Sequence, residues 1–280
     1  MPASDDAQAL TPAQPSMSAS SRPLTLITGA SSGIGEVFAE RLAHAGRDLL
    51  LVARRENQLR ETVERLAAQA GVNADILPAD LSTHDGVLSL ERRIAELGRL
   101  DMLVNAAGYA ARGRVAELDP DALDAMLAVN IVALSRLSHA ALARMVEAKS
   151  GTIINVSSGT AVMQIPGNAG YGSSKSYVSA FTRHMHLEAQ GSGVRVQLLV
   201  PGVIATPFHA VAGSDLARFP PERVMSAEDL VAASLRGLEL GEAVCIPSLP
   251  EISDWDSYVA AEARLAQNVS RNVPAARYRS

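Results

Sequence analysis

Lysine is almost missing from this chain. Of 280 residues only Lys149 and Lys175 are lysines, against 23 arginines. Cysteine is rarer still. Cys245 stands alone, which excludes a disulfide within the chain and fits a reducing compartment. A basic excess is missing as well: the formal net charge is −5, so no positive field recommends nucleic acid as a partner. No apolar run reads as long enough to cross a bilayer. No grouping of Cys, His, Asp and Glu has the spacing of a metal site, and His184 and His186, two apart on an expected helix, point to different sides. These absences lead to the expectation of a cytoplasmic protein that uses no metal and engages neither membrane nor nucleic acid.

What the chain has in quantity is apolar surface. Hydrophobic residues make up 48% and charged residues 20%, the balance of a globular protein with a sizeable core. Residues 1–22 are rich in Pro, Ala, Ser and Gln. They lack the basic start and apolar stretch of a secretory signal, Asp5 and Asp6 speak against a transit peptide, and they read as a disordered N-terminal extension. From Pro23 onward, strands are expected over 24–28, 47–53, 72–80, 101–108, 151–158 and 194–202. Helices are expected over 34–46, 56–71, 84–98, 121–148 and 171–190. Several strands are unbroken apolar runs, as strands covered on both faces are. Strict alternation then gives an α/β fold with a doubly wound parallel sheet and helices on both faces. Residues 23–250 are expected to form this one domain, and 251–280 a C-terminal helical segment and tail. The stretch 203–225, with Pro207, Pro220 and Pro221, breaks the rhythm, as lids and binding loops do.

Straight after the first strand, LTLITGASSGIGEVF places Gly29, Gly33 and Gly35 at the opening of a helix. Glycines there allow a tight turn and a close approach of backbone to a pyrophosphate. The helix N-terminus adds unpaired N–H groups and the positive end of its dipole. At the end of the second strand an acidic residue would bind the ribose 2′-hydroxyl of NAD(H). This chain has Ala53, Arg54 and Arg55 instead. No carboxylate repels a 2′-phosphate and a guanidinium can grip it, so NADP(H) is the preferred cofactor and NAD(H) the alternative. Arg54 is the first candidate for that phosphate; Arg55 either shares it or lies solvated at a helix start.

The segment YGSSK spends one of the two lysines four positions after a tyrosine, so Tyr171 and Lys175 share a helix face one turn apart. A free phenol titrates near pH ~10, too high for ready proton exchange at neutral pH. A nearby ammonium favours the phenolate. Lysine suits the task better than arginine, because a compact ammonium can also hydrogen-bond a ribose hydroxyl. Ser158 ends a strand thirteen residues earlier, where open α/β sheets bind ligands, and its hydroxyl would steady a carbonyl oxygen as charge develops on it. Its neighbour Ser157 is the competing candidate and is expected to point the other way, since strand residues alternate faces.

Together these residues resemble the short-chain dehydrogenase/reductase family. The matching motifs are TGASSGIG (28–35), DL (80–81), NAAG (105–108), Asn130, Ser158, YGSSK (171–175) and PG followed by Thr206 (201–206), in order over 23–247. The runs LITGASSGIGEVFAERLA, LLLVARRENQL and VCIPSLPE resemble a bacterial subgroup labelled DltE-like, whose substrate is unassigned. The resemblance implies a single Rossmann-like domain with a seven-stranded parallel sheet. It implies that Ser31, Ser32 and Ile34 join the three glycines at the cofactor and that Asp80 and Leu81 flank the adenine. Asn105, Ala106 and Gly108 would line the cofactor cleft. Pro201, Gly202 and Val203 would belong to the same site, and Thr206 would bond the carboxamide or pyrophosphate region. Tyr171 would be the acid/base, Lys175 would lower its pKa and bind the nicotinamide ribose, and Ser158 would orient the substrate. Asn130 would hold a water in a proton relay behind Lys175. The relatives are homodimers or homotetramers, with 121–148 and 171–190 the usual contact. One departure stands out: many NADPH-using members carry a basic residue inside the glycine turn, where this chain has Ser32.

The expected reaction is reversible carbonyl reduction, in which hydride comes from the nicotinamide and the proton from Tyr171. Tyr109, Ala161, Met163, Gln164, Ile165 and the 203–225 stretch are expected to line a largely apolar pocket, which favours a small, uncharged ketone, aldehyde or alcohol. Arg112 and Arg114, after the NAAG turn, read as solvated loop residues, with contact to an acidic substrate the alternative; Cys245 reads as a small core residue, and Trp255 and Tyr258 as packing residues. The rival reading is a non-catalytic NADP(H)-sensing module that acts through a protein partner. Ser158, Tyr171 and Lys175 argue against it, since a sensor needs no proton donor.

Overall fold

The computed structural model describes residues 20–279. The extension expected over 1–22 lies, up to residue 19, outside the described residues. The strands are β1 (Leu24–Thr28), β2 (Asp48–Ala53), β3 (Ala74–Pro78), β4 (Met102–Asn105), β5 (Gly151–Val156), β6 (Val194–Leu199), the short β7 (Val203–Ile204) and β8 (Val224–Met225), and β9 (Val244–Cys245). Seven of them form one parallel sheet in the order β3-β2-β1-β4-β5-β6-β9, and β7 pairs with β8 in a separate two-stranded ladder. The helices are α1 (Gly33–His44), α2 (Glu56–Ala70), α3 (His84–Glu96), α4 (Pro120–Leu127), α5 (Leu134–Glu147), α6 (Ala169–Glu188), α7 (Phe208–Val211), α8 (Ala227–Leu240) and α9 (Ile252–Ala266).

The apolar runs are explained by the two cores they separate. On β2, Leu49 and Leu51 face a cluster built with Phe38 of α1, Leu59 of α2 and Leu230 of α8. Leu50 and Val52 face the opposite cluster, with Leu90 of α3, Leu137 and Met145 of α5, and Met185 of α6. β2 therefore presents apolar side chains to both sides and shows no polar alternation, whereas β6 opens on alternating Val194, Arg195, Val196 and Gln197. β1 sits between β2 and β4, so the chain winds outward in both directions from it. The crevice opened by that reversal, at the carboxyl ends of β1 and β4, is where such sheets bind ligands.

α4 and α5 are one continuous helix joined by a π-helical turn, Ala128–Ala133. Against the expectation from the sequence, this 28-residue span is long and apolar enough, by length and composition, to cross a membrane. Its apolar face packs on the sheet, while Arg136 on the outside donates from Nε to Glu91 at 2.7 Å. The charged residues interrupt the run in sequence without making the helix polar on average, which is how a count of consecutive apolar residues missed it. The 203–225 connection is more ordered than a bare loop: it carries β7, α7, two 3₁₀ turns and β8. α9 rests on α6 through an Arg183–Glu262 ion pair of 2.7 Å and through the Arg183 guanidinium, 5.3 Å from the Trp255 ring centre.

Candidate active site

A cavity of about 780 Å³ opens in that crevice. Its floor is the turn after β1. Gly29 has φ +71, the left-handed region that glycine enters without strain, and a Cβ there would lie 2.8 Å from the amide nitrogen of Ala107. The close approach is fixed from the other side, because the Ala107 N–H donates to Thr28 Oγ1 at 3.2 Å. A Cβ on Gly35 would stand 2.4 Å from the Gly29 carbonyl oxygen, so α1 can pack against this turn only through glycine. Ser31, Ser32, Gly33 and Ile34 line the cavity with Gly29 and Gly35. Thr206 closes over them: a Cβ on Gly33 would meet its side chain at 3.2 Å.

The second strand delivers both arginines to the same cavity, and they do different things. Arg55 donates from Nη2 to the hydroxyls of Ser31 and of Ser32, each at 3.0 Å. Ser32 stands at the N-cap of α1 without capping it, so its hydroxyl is left for Arg55. Arg54 turns toward Asp80. Burial pushes the Asp80 carboxyl up, but hydrogen bonds from the Ser82 N–H and hydroxyl, with the Arg54 charge, outweigh it and hold the group below its ordinary value. Asp80, Leu81, Ala106 and Gly108 line the cavity; Asn105 does not. The Asn105 amide is buried between strands, donating to Asn155 Oδ1 at 2.9 Å and Ser138 Oγ at 3.0 Å. The resemblance had put Asn105 in the cleft. Its place on β4 turns it into the helix-covered face instead, where it braces the strand whose continuation lines the cleft.

At the other end of the cavity Tyr171 and Lys175 lie on one face of α6, both buried. Lys175 donates from Nζ to the Val156 carbonyl at 3.0 Å, and Nζ lies 5.8 Å from the Tyr171 ring centre. Burial pushes the ammonium down to about 8. Burial also pushes the Tyr171 phenol up, to about 12; the Ser158 hydroxyl, by hydrogen bonding, and the Arg112 charge act against it. The expected lowering of the phenol by its lysine is thus not what dominates in the protein alone: desolvation wins. Ser158 lines the cavity, its hydroxyl accepting from the Thr160 N–H at 3.2 Å. Ser157 also borders the cavity, but its hydroxyl turns to α6, donating to the Lys175 carbonyl at 2.8 Å and meeting Ser179 Oγ at 2.8 Å.

Asn130 lies in the π-helical turn, fully buried and outside the cavity wall. Its Oδ1 accepts from the Tyr109 N–H at 3.2 Å, and its Nδ2 donates to the Tyr109 carbonyl at 3.0 Å and to Ser174 Oγ at 3.0 Å. This two-way clamp holds the turn after β4 against α6. Gly108, in that turn, leaves the room: a Cβ there would stand 2.9 Å from Asn130 Oδ1 and 3.4 Å from Lys175 Nζ. Pro201, Gly202 and Val203 complete the wall beside Thr206.

The remaining wall is largely apolar. Met163 and Ile165 line it, Tyr109 also borders the cavity but feels the charges of Arg54 and Asp80 toward its other end, and Ala161 and Gln164 lie outside the lining. The 203–225 stretch adds Phe208, Val211 and Phe219, with His209 fastened beneath them by a 3.2 Å contact between Nδ1 and Ser214 Oγ. Sequence reasoning set Arg112 aside, yet it lines the cavity. The signal was its position four residues after Gly108. What carries it inward is a backbone bond from the Gly113 N–H to the Gly167 carbonyl, 3.0 Å, which joins it to the turn before α6. Among the described residues no group of three or more His, Cys, Asp and Glu is placed to hold a metal.

The glycine turn, its arginines and the spare cavity volume fit a nicotinamide dinucleotide. Residues 23–217 match the family described as short chain dehydrogenase. A sulfoacetaldehyde reductase of Chromohalobacter salexigens is 37% identical over 199 residues, covering 69% of this chain and 78% of that protein. A short-chain dehydrogenase from Sphingobium yanoikuyae in complex with NADPH superposes with a TM-score of 0.88 at 35% identity, covering 92% of this chain and 100% of that one. A bulky-bulky ketone specific alcohol dehydrogenase from Comamonas testosteroni has a TM-score of 0.84 at 30% identity, covering 92% of this chain and 99% of that one.

Proposed function

The chain belongs to the short-chain dehydrogenase family and is an oxidoreductase, and on that premise we propose that it interconverts a small carbonyl compound and its alcohol with NADP(H), Tyr171 acting as the acid/base. The observation that carries this reading is the buried phenol and ammonium on one face of α6, reached from the same cavity as the glycine turn.

The dinucleotide, when bound, supplies or accepts the hydride. The chain's own residues hold it and handle the proton. Gly29, Gly33 and Gly35 admit the pyrophosphate to the backbone and to the start of α1. Arg54, at the end of a β2 that carries no carboxylate of its own, would pair with the 2′-phosphate, with Asp80 the one nearby carboxylate it would have to share its charge with. Arg55 holds Ser31 and Ser32 in place beside it. Ser158 receives the substrate's carbonyl oxygen. Tyr171, protonated at neutral pH by a wide margin, gives that oxygen its proton in reduction. Lys175 holds the ribose and the phenol in register, and Asn130 fixes the turn from which a water behind Lys175 can be reached.

The complex of the Sphingobium relative with NADPH supports the choice of phosphate-bearing cofactor. The Chromohalobacter relative is named for an aldehyde and the Comamonas one for bulky ketones. The apolar side chains of Met163, Ile165 and Phe208 support a substrate with an uncharged carbon body. We place the chain in the DltE-like subgroup. Its exposed Val132 and Tyr177, on the helices that pair in relatives, support a homodimer or homotetramer.

Matched assays of NADPH and NADH oxidation against a panel of aldehydes and ketones test this. Turnover with NADPH well above NADH is expected. Equal rates with both cofactors would defeat the Arg54 argument and leave the reaction class standing; no turnover of any carbonyl would defeat both.

A further inference from the structure

The substrate end of the cavity has a charge that its apolar lining does not explain. Five cationic or imidazole side chains line the whole cavity, Arg54, Arg55, Arg112, Lys175 and His209, against a single carboxylate, Asp80. Asp80 sits at the opposite end, beside Arg54. Arg112 therefore has no acidic neighbour in the wall, and among the described residues it makes no ion pair or side-chain hydrogen bond.

Its backbone is not that of a free loop. Ala110 is buried, the Ala111 N–H donates to Met126 Sδ at 3.2 Å, and the Gly113 N–H donates to the Gly167 carbonyl at 3.0 Å. These three points fix the segment on both sides of Arg112. Its charge reaches groups on two further elements, drawing down both the Tyr171 phenol and the His209 imidazole. Met163, Ile165 and Phe219, which line the same cavity, offer an anion nothing. Arg112 is itself exposed while lining the cavity, so its guanidinium is free to meet an incoming anion, with an attraction that solvent screens in part.

We propose that Arg112 binds an anionic group, a carboxylate or sulfonate, carried by the carbonyl substrate. Its reactive end lies at Ser158 and Tyr171, its carbon body on Met163 and Ile165, and its charged end on the Arg112 fork, which fits such oxyanions bidentately. This rests on the carbonyl–alcohol reading above and narrows it, replacing the expectation of a fully uncharged substrate.

Two measurements test it on the full chain. The first compares kcat/KM with NADPH for succinic semialdehyde and for butyraldehyde, in the wild type, in Arg112→Gln and in Arg114→Gln, a neighbouring exposed arginine that does not line the cavity. The ratio of charged to uncharged substrate is expected to favour the charged one. Arg112→Gln should lower that ratio about 10- to 100-fold, the range of a charge-assisted hydrogen bond, and Arg112→Lys should restore part of it. Arg114→Gln should leave it unmoved. A wild-type ratio near one, or a ratio that Arg112→Gln and Arg114→Gln change equally, overturns the proposal. Turnover of butyraldehyde alone would sink this inference and spare the reaction class. The second measurement needs no turnover: calorimetric titration of the NADP⁺ complex with butyrate and with butyramide. Binding of the carboxylate only, lost in Arg112→Gln, supports the proposal; equal binding of both, or binding unaffected by the substitution, contradicts it.

Discussion

The ammonium of Lys175 donates to the carbonyl of Val156, 3.0 Å away, from a buried position at the edge of the cavity. A buried cation held by one carbonyl is poorly compensated for the water it has lost, and burial pulls its pKa to about 8. The unfolded chain keeps that proton up to about pH 10.4. Below pH 8 the folded protein bears the full desolvation cost; between pH 8 and 10 folding releases the proton, and stability relative to a neutral side chain recovers. Lys175→Met is therefore expected to stabilise the cofactor-free protein by about 2 kcal/mol at pH 7, after allowance for the lost hydrogen bond. The gain should vanish near pH 10.5. Paired urea titrations at the two pH values check it, and an equal or larger gain at the higher pH would contradict the assignment.

Tyr171→Phe removes the proton donor and leaves the ring. Carbonyl reduction should fall by about 10²- to 10⁴-fold while NADPH fluorescence titration still reports binding. In the cofactor-free wild type, burial keeps the phenol protonated to about pH 12. The difference absorbance between wild type and Tyr171→Phe should accordingly show no phenolate through pH 10.

The two arginines after β2 should separate in their effects. Arg54→Ala is expected to weaken NADPH by about 10- to 100-fold and to leave NADH nearly untouched, since its partner is the 2′-phosphate alone. Arg55 holds Ser31 and Ser32, so Arg55→Ala should weaken both cofactors together. Steady-state KM values for the two nucleotides in each variant are the check.

Two glycines with close neighbours make a contrast. Gly35→Ala forces a Cβ to within 2.4 Å of a backbone oxygen that cannot move without the turn, and is expected to cost the fold about 2–3 kcal/mol. Gly108→Ala presses on Asn130 Oδ1 and Lys175 Nζ, which are side-chain atoms. It should leave the melting temperature closer to wild type and cut kcat more. Thermal unfolding and turnover measured on both variants decide whether the two glycines differ in this way.

Much of this was legible in the sequence because it is local. The apolar runs of β1 and β2 required two covered faces, and the glycine turn, Ser158 and the pairing of Tyr171 with Lys175 each follow from spacing within one element. What sequence could not show depends on contacts between distant segments. Arg112 is exposed, as a solvated loop residue is, but that it borders the cavity shows only once Gly113 is joined to Gly167. Asn105 belongs to a motif, but motif membership does not say which face of β4 its amide takes. The single helix expected over 121–148 is there as α4 and α5, but the clamp of Asn130 on Tyr109 needs the π-helical turn between them, which no propensity signals.

The transfer of deuterium from [4,4-²H₂]NADPH, labelled on both faces of the ring, tests the central claim most directly. With a carbonyl substrate, the account predicts that deuterium appears on the alcohol carbon of the product in the wild type and that Tyr171→Phe slows its appearance by at least about 10²-fold. An alcohol product free of deuterium, or a Tyr171→Phe protein that transfers it at the wild-type rate, would contradict the account.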